Sequence, residues 1–291
     1  MPILTIITPT FNAGSFIERC IESVQQQSFK NVEHLIVDGN SSDNTIELVK
    51  GLAEKYQNVK FTSEPDKGIY DAMNKGIKLA AGEWVYFLGS DDFFYNNSVL
   101  EAVSDYFLKY QQFDLLYGNV WHEELQRIYD GAFDIEKILT RNICHQAIFF
   151  KHSLFEKVGY YGLKYKLNAD YEFNLKCFLK EQLNHKFIPV IVANFSSGGA
   201  SAILDEAFFS DYPAITTAFV LESKNTFRKK TFLLSKLFRK IIIRKYSPSV
   251  IFKYVLCLDK YFFARLFALL LMPVEFVIVT ISKKGKKAEI K

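Results

Sequence analysis

Residues Ala81–Phe94 read AAGEWVYFLGSDDF, and this stretch decides the fold class. Trp84 to Leu88 is a continuous apolar and aromatic run, as expected of a strand covered on both faces in a parallel sheet. Gly89 and Ser90 end the run, and two adjacent carboxylates, Asp91 and Asp92, follow at its carboxyl end. In open α/β sheets ligands bind at that edge. Adjacent acids repel unless a cation is shared, and hard oxygen ligands suit Mg²⁺ or Mn²⁺ holding a diphosphate. The same residues could instead cap the helix that begins near Asn97.

The flanking sequence supports the parallel reading. Ile3 to Thr8, ended by Pro9, reads as a first strand, and Val32 to Val37 as a second, closed by Asp38-Gly39. Val59 to Ser63 is a third, and Trp84 to Leu88 the fourth. Between them lie amphipathic segments. One carries Ile17, Ile21 and Val24 behind a Ser15/Glu18 capping-box spacing. A second carries Ile46, Val49 and Leu52, and a third, Ile69 to Ala80, carries Ile69, Met73 and Ile77. Strand alternating with helix across short connections predicts a parallel α/β sheet. Further on, helices are expected at Ser98–Tyr110, Tyr171–Leu179 and Asp205–Glu222. Strands are expected at Leu115–Tyr117, Arg127–Tyr129, Ala147–Phe150 and Lys186–Phe195, the last interrupted by Pro189 and so suited to a sheet edge.

Composition divides the chain. Residues 1–223 carry a net charge of −10 and residues 224–291 a net charge of +14. A mildly acidic globular domain over 1–223 followed by a basic, Phe- and Leu-rich tail over 224–291 is therefore expected, and the tail calls for an anionic partner. The segment 227–246, FRKKTFLLSKLFRKIIIRKY, has eight Lys and Arg and no acid, with Phe227, Leu234, Leu237, Phe238, Ile241 and Ile242 able to share a helical face. This is the pattern of a helix lying in an anionic membrane interface. Tyr261–Ile281 is apolar but holds Arg265, Pro273 and Glu275, which favours an interfacial or re-entrant segment over a span. The expected partner of residues 227–282 is a membrane surface rather than nucleic acid; an oligomerisation helix pair, making a homo-oligomer, would bury the same faces. Cys20, Cys144, Cys177 and Cys257 show no framework or metal-ligand spacing, as expected in a reducing compartment, and no signal-type segment opens the chain.

The chemistry-bearing residues recur at strand ends: Pro9-Thr10-Phe11-Asn12, Asp38, Glu64 with Asp66, and Asp91-Asp92. In a parallel sheet these share one edge and form a polar crevice of the kind that receives a nucleotide. Neither G-x-G-x-x-G nor G-x-x-x-x-G-K-[ST] is present, which argues against a dinucleotide Rossmann site or a P-loop.

Taken in order, ITPTFN, LIVDGNSSDNT, SEPDKGIYDAMNKGIKLAAGEW, FLGSDD and HQAIFFKHSLFEKVGYYGLKYKLNADYEFNLK resemble the family 2 glycosyltransferases, especially bacterial members that build surface polysaccharides and O-antigens. The resemblance covers roughly the first 200 residues and not the tail. It implies a GT-A fold, a mostly parallel Rossmann-like sheet, and inverting transfer of a sugar from a nucleotide-diphosphate donor to an acceptor. By the same resemblance, Pro9, Thr10 and Phe11 line the nucleobase and ribose, and Asp38 hydrogen-bonds the base, as a carboxylate can a uracil N–H. Asp92, last acid of the family's D-x-D-type motif, binds Mn²⁺ or Mg²⁺, and Asp91 meets ribose or the metal's waters. Because this chain reads Gly89-Ser90-Asp91-Asp92, the division of roles between the two acids stays open. Asp66, Lys67, Gly68, Asp71 and Asn74 border the diphosphate and donor sugar, Asp71 and Asn74 being alternatively a solvated helix face. Asp170 stands where the family keeps its catalytic base, or caps the helix behind it. His145 and Gln146 contact the acceptor or a phosphate, or are structural, and Gly198-Gly199-Ser201 forms a substrate loop or a plain turn. A lipid-linked or glycan acceptor and a site of action on the cytoplasmic face of the plasma membrane follow from the resemblance together with the tail. Two rival readings keep the fold: a nucleotidyltransferase making nucleotide-sugars, and an inactive membrane scaffold.

Overall fold

The computed structural model describes residues 1–179, 183–195, 205–222, 230, 232–234 and 237. The strands are β1 (Leu4–Thr10), β2 (Val32–Asp38), β3 (Val59–Ser63), β4 (Trp84–Phe87), β5 (Leu115–His122), β6 (Arg127–Tyr129), β7 (Ile148–Lys151) and β8 (His185–Phe195). The helices are α1 (Ile17–Gln25), α2 (Thr45–Lys55), α3 (Ile69–Leu79), α4 (Val99–Lys109), α5 (Ile135–Ile138), α6 (Leu154–Val158), α7 (Ala169–Leu179) and α8 (Glu206–Glu222). They divide into two compact units, the first Met1–Asp205 and the second from Glu206 on.

In the first unit all strands form one sheet, running β3-β2-β1-β4-β7-β5, with β8 along the other side of β5 and β6 paired to the second half of β5. Strands β1 to β4 are mutually parallel and β5 is parallel to β8, whereas β7 runs antiparallel to both its neighbours. Period-two side-chain alternation sorts the core. Leu4, Ile6, Trp84 and Tyr86 face Cys20 and Val24 of α1 and Val99, Leu100, Val103 and Phe107 of α4. On the opposite face Phe87 meets Phe150, Phe155 and Tyr161 edge-on, and Tyr161 packs on Phe173 of α7. Helix α3 approaches β1 closely enough that a Cβ on Gly76 would lie 2.4 Å from Ile7 Cγ2.

Three local expectations are corrected. Pro9 does not end β1, which runs through it to Thr10. The Leu88 N–H donates to the Ile7 carbonyl, so Pro9, two residues on, faces the side where β4 has already stopped, and no ladder bond is lost. Ser15 and Glu18 form no capping box: Phe16 holds the N-cap position of α1, without a side-chain cap. Ile69, expected on the buried face of α3, is 49% exposed, because the face turned to the sheet is built by Tyr70, Met73, Asn74 and Ile77. Among the strands β8 pairs only with β5, its other side carrying an isolated bridge from Phe94 to Ala193, and Pro189 falls in the irregularity between the Phe187 and Ile191 pairings.

In the second unit, α8 carries Pro213 inside the helix. The Thr216 and Thr217 hydroxyls donate to the carbonyls of Tyr212 (2.6 Å) and Pro213 (2.6 Å). Among the described residues no helix is long and apolar enough to cross a membrane. The tail read over 224–291 lies, apart from Lys230, Phe232–Leu234 and Leu237, outside the described residues, as does Gly198-Gly199-Ser201.

Gly82 gives a direct check on the parallel core. A Cβ there would stand 2.5 Å from the Thr5 backbone nitrogen and 2.8 Å from the Leu4 carbonyl carbon, inside a central strand. Gly82→Ala should destabilise the protein by about 1–3 kcal/mol, read as a lowered denaturation midpoint; an unchanged midpoint would contradict the register of β1 beside this turn.

Candidate active site

Because β1 to β4 are parallel, their carboxyl ends open on one edge. The antiparallel β7 brings its own beginning to the same edge, since Phe149 pairs with Tyr86 near the end of β4. The short 3₁₀ turn His145–Ala147 that precedes β7 is therefore delivered to the carboxylates that follow β4.

The Gly89–Asp92 turn is closed by the Asp92 N–H donating to the Gly89 carbonyl (3.0 Å), while the Gly89 N–H donates to Asp92 Oδ2 (3.2 Å). A Cβ on Gly89 would lie 2.6 Å from Asp92 Oδ2 and 3.0 Å from Asp91 Oδ1, so both carboxylates fold over this glycine and a side chain here would have to push them aside. Asp91 is exposed, and its carbonyl accepts from Arg19 Nη2 at 2.8 Å. Neither acid caps α4: Ser98 holds the N-cap position, and Asn96 Oδ1 accepts from the Ser98 N–H and hydroxyl, both at 2.9 Å.

Asp92 is mostly enclosed. Its Oδ1 accepts from Gln146 Nε2 at 2.7 Å, and His145 Nε2 stands 3.6 Å from Oδ2. Burial pushes the Asp92 carboxyl up, but His145, Gln146 and the Gly89 N–H outweigh it and hold the group below its ordinary value. For His145 the surrounding protein pulls the imidazole down, and Asp92, Asp170 and Asp91 together raise it above its usual range. Its side chain keeps 41% of its surface open.

Asp170, second residue of α7, is also largely enclosed. Tyr70 of α3 donates its hydroxyl to Oδ1 at 2.8 Å, and Asn142 donates Nδ2 to Oδ2 at 2.7 Å. Asn174, one turn along α7, donates to Asn142 Oδ1 at 2.8 Å. Burial raises the Asp170 carboxyl above the ordinary carboxylate range, against the lowering pull of His145, Tyr70 and Asn142. Tyr70 and Asn142 carried no weight in the sequence. A tyrosine on an amphipathic helix and an asparagine in an irregular loop look ordinary until the fold joins them to one carboxylate.

Toward β1 to β3 the edge is more open. Phe11 is 64% exposed, with Pro9 and Thr10 buried beneath it. Asp38 is buried and already has donors: the Ser41 N–H (2.9 Å) and Ser63 hydroxyl (2.7 Å) on Oδ2, and the Ser41 hydroxyl on Oδ1. A base would reach it only by displacing Ser41 or through Ser41. Asp66 closes over Gly39, its Oδ2 lying 2.5 Å from where a Cβ would be, and its Oδ1 accepts from the Gly68 N–H at 2.8 Å. Gly68 has φ 115°, a conformation natural to glycine, and with Lys67 it is exposed. Asp71 Oδ2 accepts from the Lys67 N–H (3.0 Å) and so fixes this loop at the start of α3.

Two expected contact residues have their side chains engaged elsewhere. Asn74 is neither at the open edge nor on a solvated face: its amide exchanges two bonds with the Tyr161 backbone, both 2.9 Å. Gln146 is 4% exposed, and its amide is spent on Asp92.

The residues present suit a hard divalent cation only in a particular way. Among the described residues no group of three or more His, Cys, Asp and Glu gathers as a cation site. One or two carboxylates, here Asp92 with Asp91, do suit a cation whose remaining ligands are phosphate oxygens and water.

Residues 5–158 match the family model described as glycosyl transferase family 2. A PGL/p-HBAD biosynthesis glycosyltransferase of Mycobacterium bovis is 36% identical over 219 residues, covering 74% of this chain and 86% of that protein. An uncharacterized glycosyltransferase of Mycobacterium tuberculosis is 33% identical over 184 residues, covering 61% of this chain and 70% of that one. In structure the chain resembles S. aureus TarS 1-349 solved with UDP-GlcNAc, with a TM-score of 0.69 at 18% identity, covering 91% of this chain and 81% of that one. It also resembles the mannosyltransferase PcManGT of Pyrobaculum calidifontis, solved with GDP-Man and Mn²⁺, with a TM-score of 0.57 at 15% identity, covering 98% and 88%.

Asn74→Ala tests the clamp. It should lower stability by about 2–3 kcal/mol, because two buried backbone groups of Tyr161 lose their partners, measured by denaturant unfolding. A loss of donor affinity without a loss of stability would return Asn74 to the donor site.

Proposed function

The chain belongs to glycosyl transferase family 2, and on that premise we propose that it is an inverting, metal-dependent hexosyltransferase using a nucleotide-diphosphate sugar. That it is a glycosyltransferase, with a mostly parallel GT-A sheet, needs no proposal. The observation that carries the mechanism is Asp170: a carboxylate raised by burial, yet gripped by Tyr70 and Asn142 at the same edge as the Asp91-Asp92 turn.

Inversion requires one base on the acceptor side. Asp170 takes the proton of the acceptor hydroxyl as that oxygen attacks the sugar's C1 opposite the departing diphosphate. A carboxyl raised toward neutrality holds that proton better than an ordinary one, and the Tyr70 and Asn142 donors aim its free lone pairs. On the donor side Phe11 offers an aromatic face to the base, and Asp38, through or in place of Ser41, accepts a uracil N–H. UDP is the preferred nucleotide on that ground, in keeping with the UDP-GlcNAc held by the TarS neighbour. Lys67, Gly68, Asp66 and Asp71 form the loop bordering the diphosphate and sugar. Asp92, with Asp91 beside it, would hold Mn²⁺ or Mg²⁺, which when bound supplies Lewis-acid stabilisation of the charge on the leaving diphosphate. His145 faces Asp92 and the base and lies where diphosphate or acceptor would pass.

The acceptor is proposed to be a lipid-linked glycan in surface polysaccharide synthesis, met at the cytoplasmic face of the plasma membrane through the basic tail. The support is the +14 charge and apolar content of residues 224–291. The PGL/p-HBAD description of the 36%-identical relative gives a biosynthetic parallel.

Calorimetric titration with UDP, GDP and dTDP, each with and without Mn²⁺, tests the donor side. UDP should bind most tightly, Mn²⁺ should strengthen it, and Asp92→Asn should remove the Mn²⁺ gain; folded protein that binds none of the three would sink the proposal. Asp170→Asn should cut transfer by about 10²–10⁴-fold while leaving UDP affinity unchanged. For the tail, full-length protein should sediment with vesicles containing anionic lipid and be released by salt; equal recovery with purely zwitterionic vesicles would contradict an electrostatic anchor.

A further inference from the structure

The five-residue segment Asn142 to Gln146 reaches both Asp92 and Asp170. Gln146 Nε2 donates to Asp92 Oδ1 at 2.7 Å, and Asn142 Nδ2 donates to Asp170 Oδ2 at 2.7 Å. Each amide is also fixed at its other end. The Cys144 thiol donates to Gln146 Oε1, and Asn174 Nδ2 donates to Asn142 Oδ1 at 2.8 Å. An ionised carboxylate can only accept, so both amides must present nitrogen to the acids, and the second contacts enforce that orientation. The segment is anchored from below, where the Tyr86 hydroxyl of β4 donates to the Gln146 carbonyl at 2.8 Å. Gln146 is 4% exposed and reaches no open surface. Burial pushes the Cys144 thiol well above its ordinary range, which keeps it a donor.

We propose that Asn142–Gln146 is a positioning strap: Gln146 orients Asp92, Asn142 orients Asp170, and one short stretch of backbone sets the spacing between the donor-side and acceptor-side carboxylates. This rests on the roles given above to Asp92 and Asp170 and adds what holds them in place. In this proposal both strap amides act through the carboxylates they hold. Cys144 acts through Gln146 alone.

The two halves have separate readouts in the full chain. For Gln146→Leu, which keeps bulk and removes the donor, Mn²⁺-supported UDP affinity should fall about 10- to 100-fold, the usual effect of losing a group that orients a metal-binding carboxylate. UDP binding in EDTA should not change. Cys144→Ala, which frees the Gln146 amide to turn, should shift Mn²⁺-supported affinity in the same direction by less, and it carries the comparison should Gln146→Leu fail to fold. For Asn142→Ala the Mn²⁺-UDP affinity should stay at the wild-type level. The acid limb of its rate–pH profile should move to higher pH, because the charged form of Asp170 loses a donor while its burial remains.

Mn²⁺-supported affinity unchanged in folded Gln146→Leu, or in Cys144→Ala where that variant stands in, overturns the Gln146 half. An unmoved acid limb in Asn142→Ala overturns the other. Wild-type protein with the same UDP affinity in Mn²⁺ and EDTA overturns the cation role of Asp92, and the Gln146 half falls with it; the pH profile then decides the Asn142 half alone.

Discussion

An ionised carboxylate withdrawn from water must be given donors, and most of this site follows from that requirement. Asp38, Asp92 and Asp170 all lie at one edge and are largely enclosed, and each is met by a distinct donor set. Asp38 has two serines, Asp92 has a glutamine, a backbone N–H and a nearby imidazole, and Asp170 has a tyrosine and an asparagine. The donors also differ in origin. Those on Asp38 come from its own loop and from the end of the neighbouring strand β3. The side-chain donors on Asp92 and Asp170 cross between elements far apart in sequence, so these two carboxylates act as clasps between α3, the β4 turn, the segment before β7 and α7.

The sheet makes those clasps possible. Four parallel strands put their carboxyl ends together, which accounts for Asp38, Asp66 and the Asp91-Asp92 turn. Only an antiparallel neighbour can bring its amino end to the same edge, and β7 is that neighbour of β4. Reversing one strand thus makes the edge two-sided, one side built from strand ends and the other from a strand beginning and α7, which is the division the proposed donor and acceptor roles follow.

How much of this is legible from residues alone depends on the range over which each feature is determined. The alternation Leu4–Thr10, Val32–Asp38, Trp84–Phe87 and the helices between them follow from local apolar periodicity, and those elements match the expected ones closely. Asp91, Asp92 and Asp170 stand out because carboxylates after a buried strand or at a helix start are conspicuous. Asn74 and Gln146 mark the limit. Both sit in motifs that resemble the family's, and both look able to reach a ligand, but their amides are engaged by Tyr161 and Asp92, 87 and 54 residues away in the chain. No window of sequence carries that information. The start of α1 fails for a related reason. Thr45 and Asp43 accept from the Ala13 and Gly14 N–H groups, and the Phe16 and Ile17 N–H groups turn back to the Ala13 carbonyl, so the helix starts after Phe16 and not at a Ser15 cap.

Charge gives the last constraint on the chemistry. The crevice edge presents Asp38, Asp66, Asp71, Asp91, Asp92 and Asp170, on a domain whose residues 1–223 already carry a net −10. A nucleoside diphosphate sugar is itself an anion, and like charges at contact distance in a partly desolvated site repel by several kcal/mol (about 4 kcal/mol at 4 Å for an effective dielectric of ~20). The protein cations at hand do not balance this. Arg19 is turned to the Asp91 carbonyl and the Phe93 ring, Lys67 is exposed on its loop, and His145 carries at most one charge between Asp92 and Asp170. Among the described residues no Gly-rich cradle or Arg clamp stands at this edge to take a diphosphate's charge. A cation entering with the acidic ligand would relieve this repulsion, which is the physical ground for the metal dependence proposed above. At the Asp91-Asp92 turn two carboxylates close over one glycine, and a cation bound there would offset both their mutual repulsion and that of the incoming diphosphate.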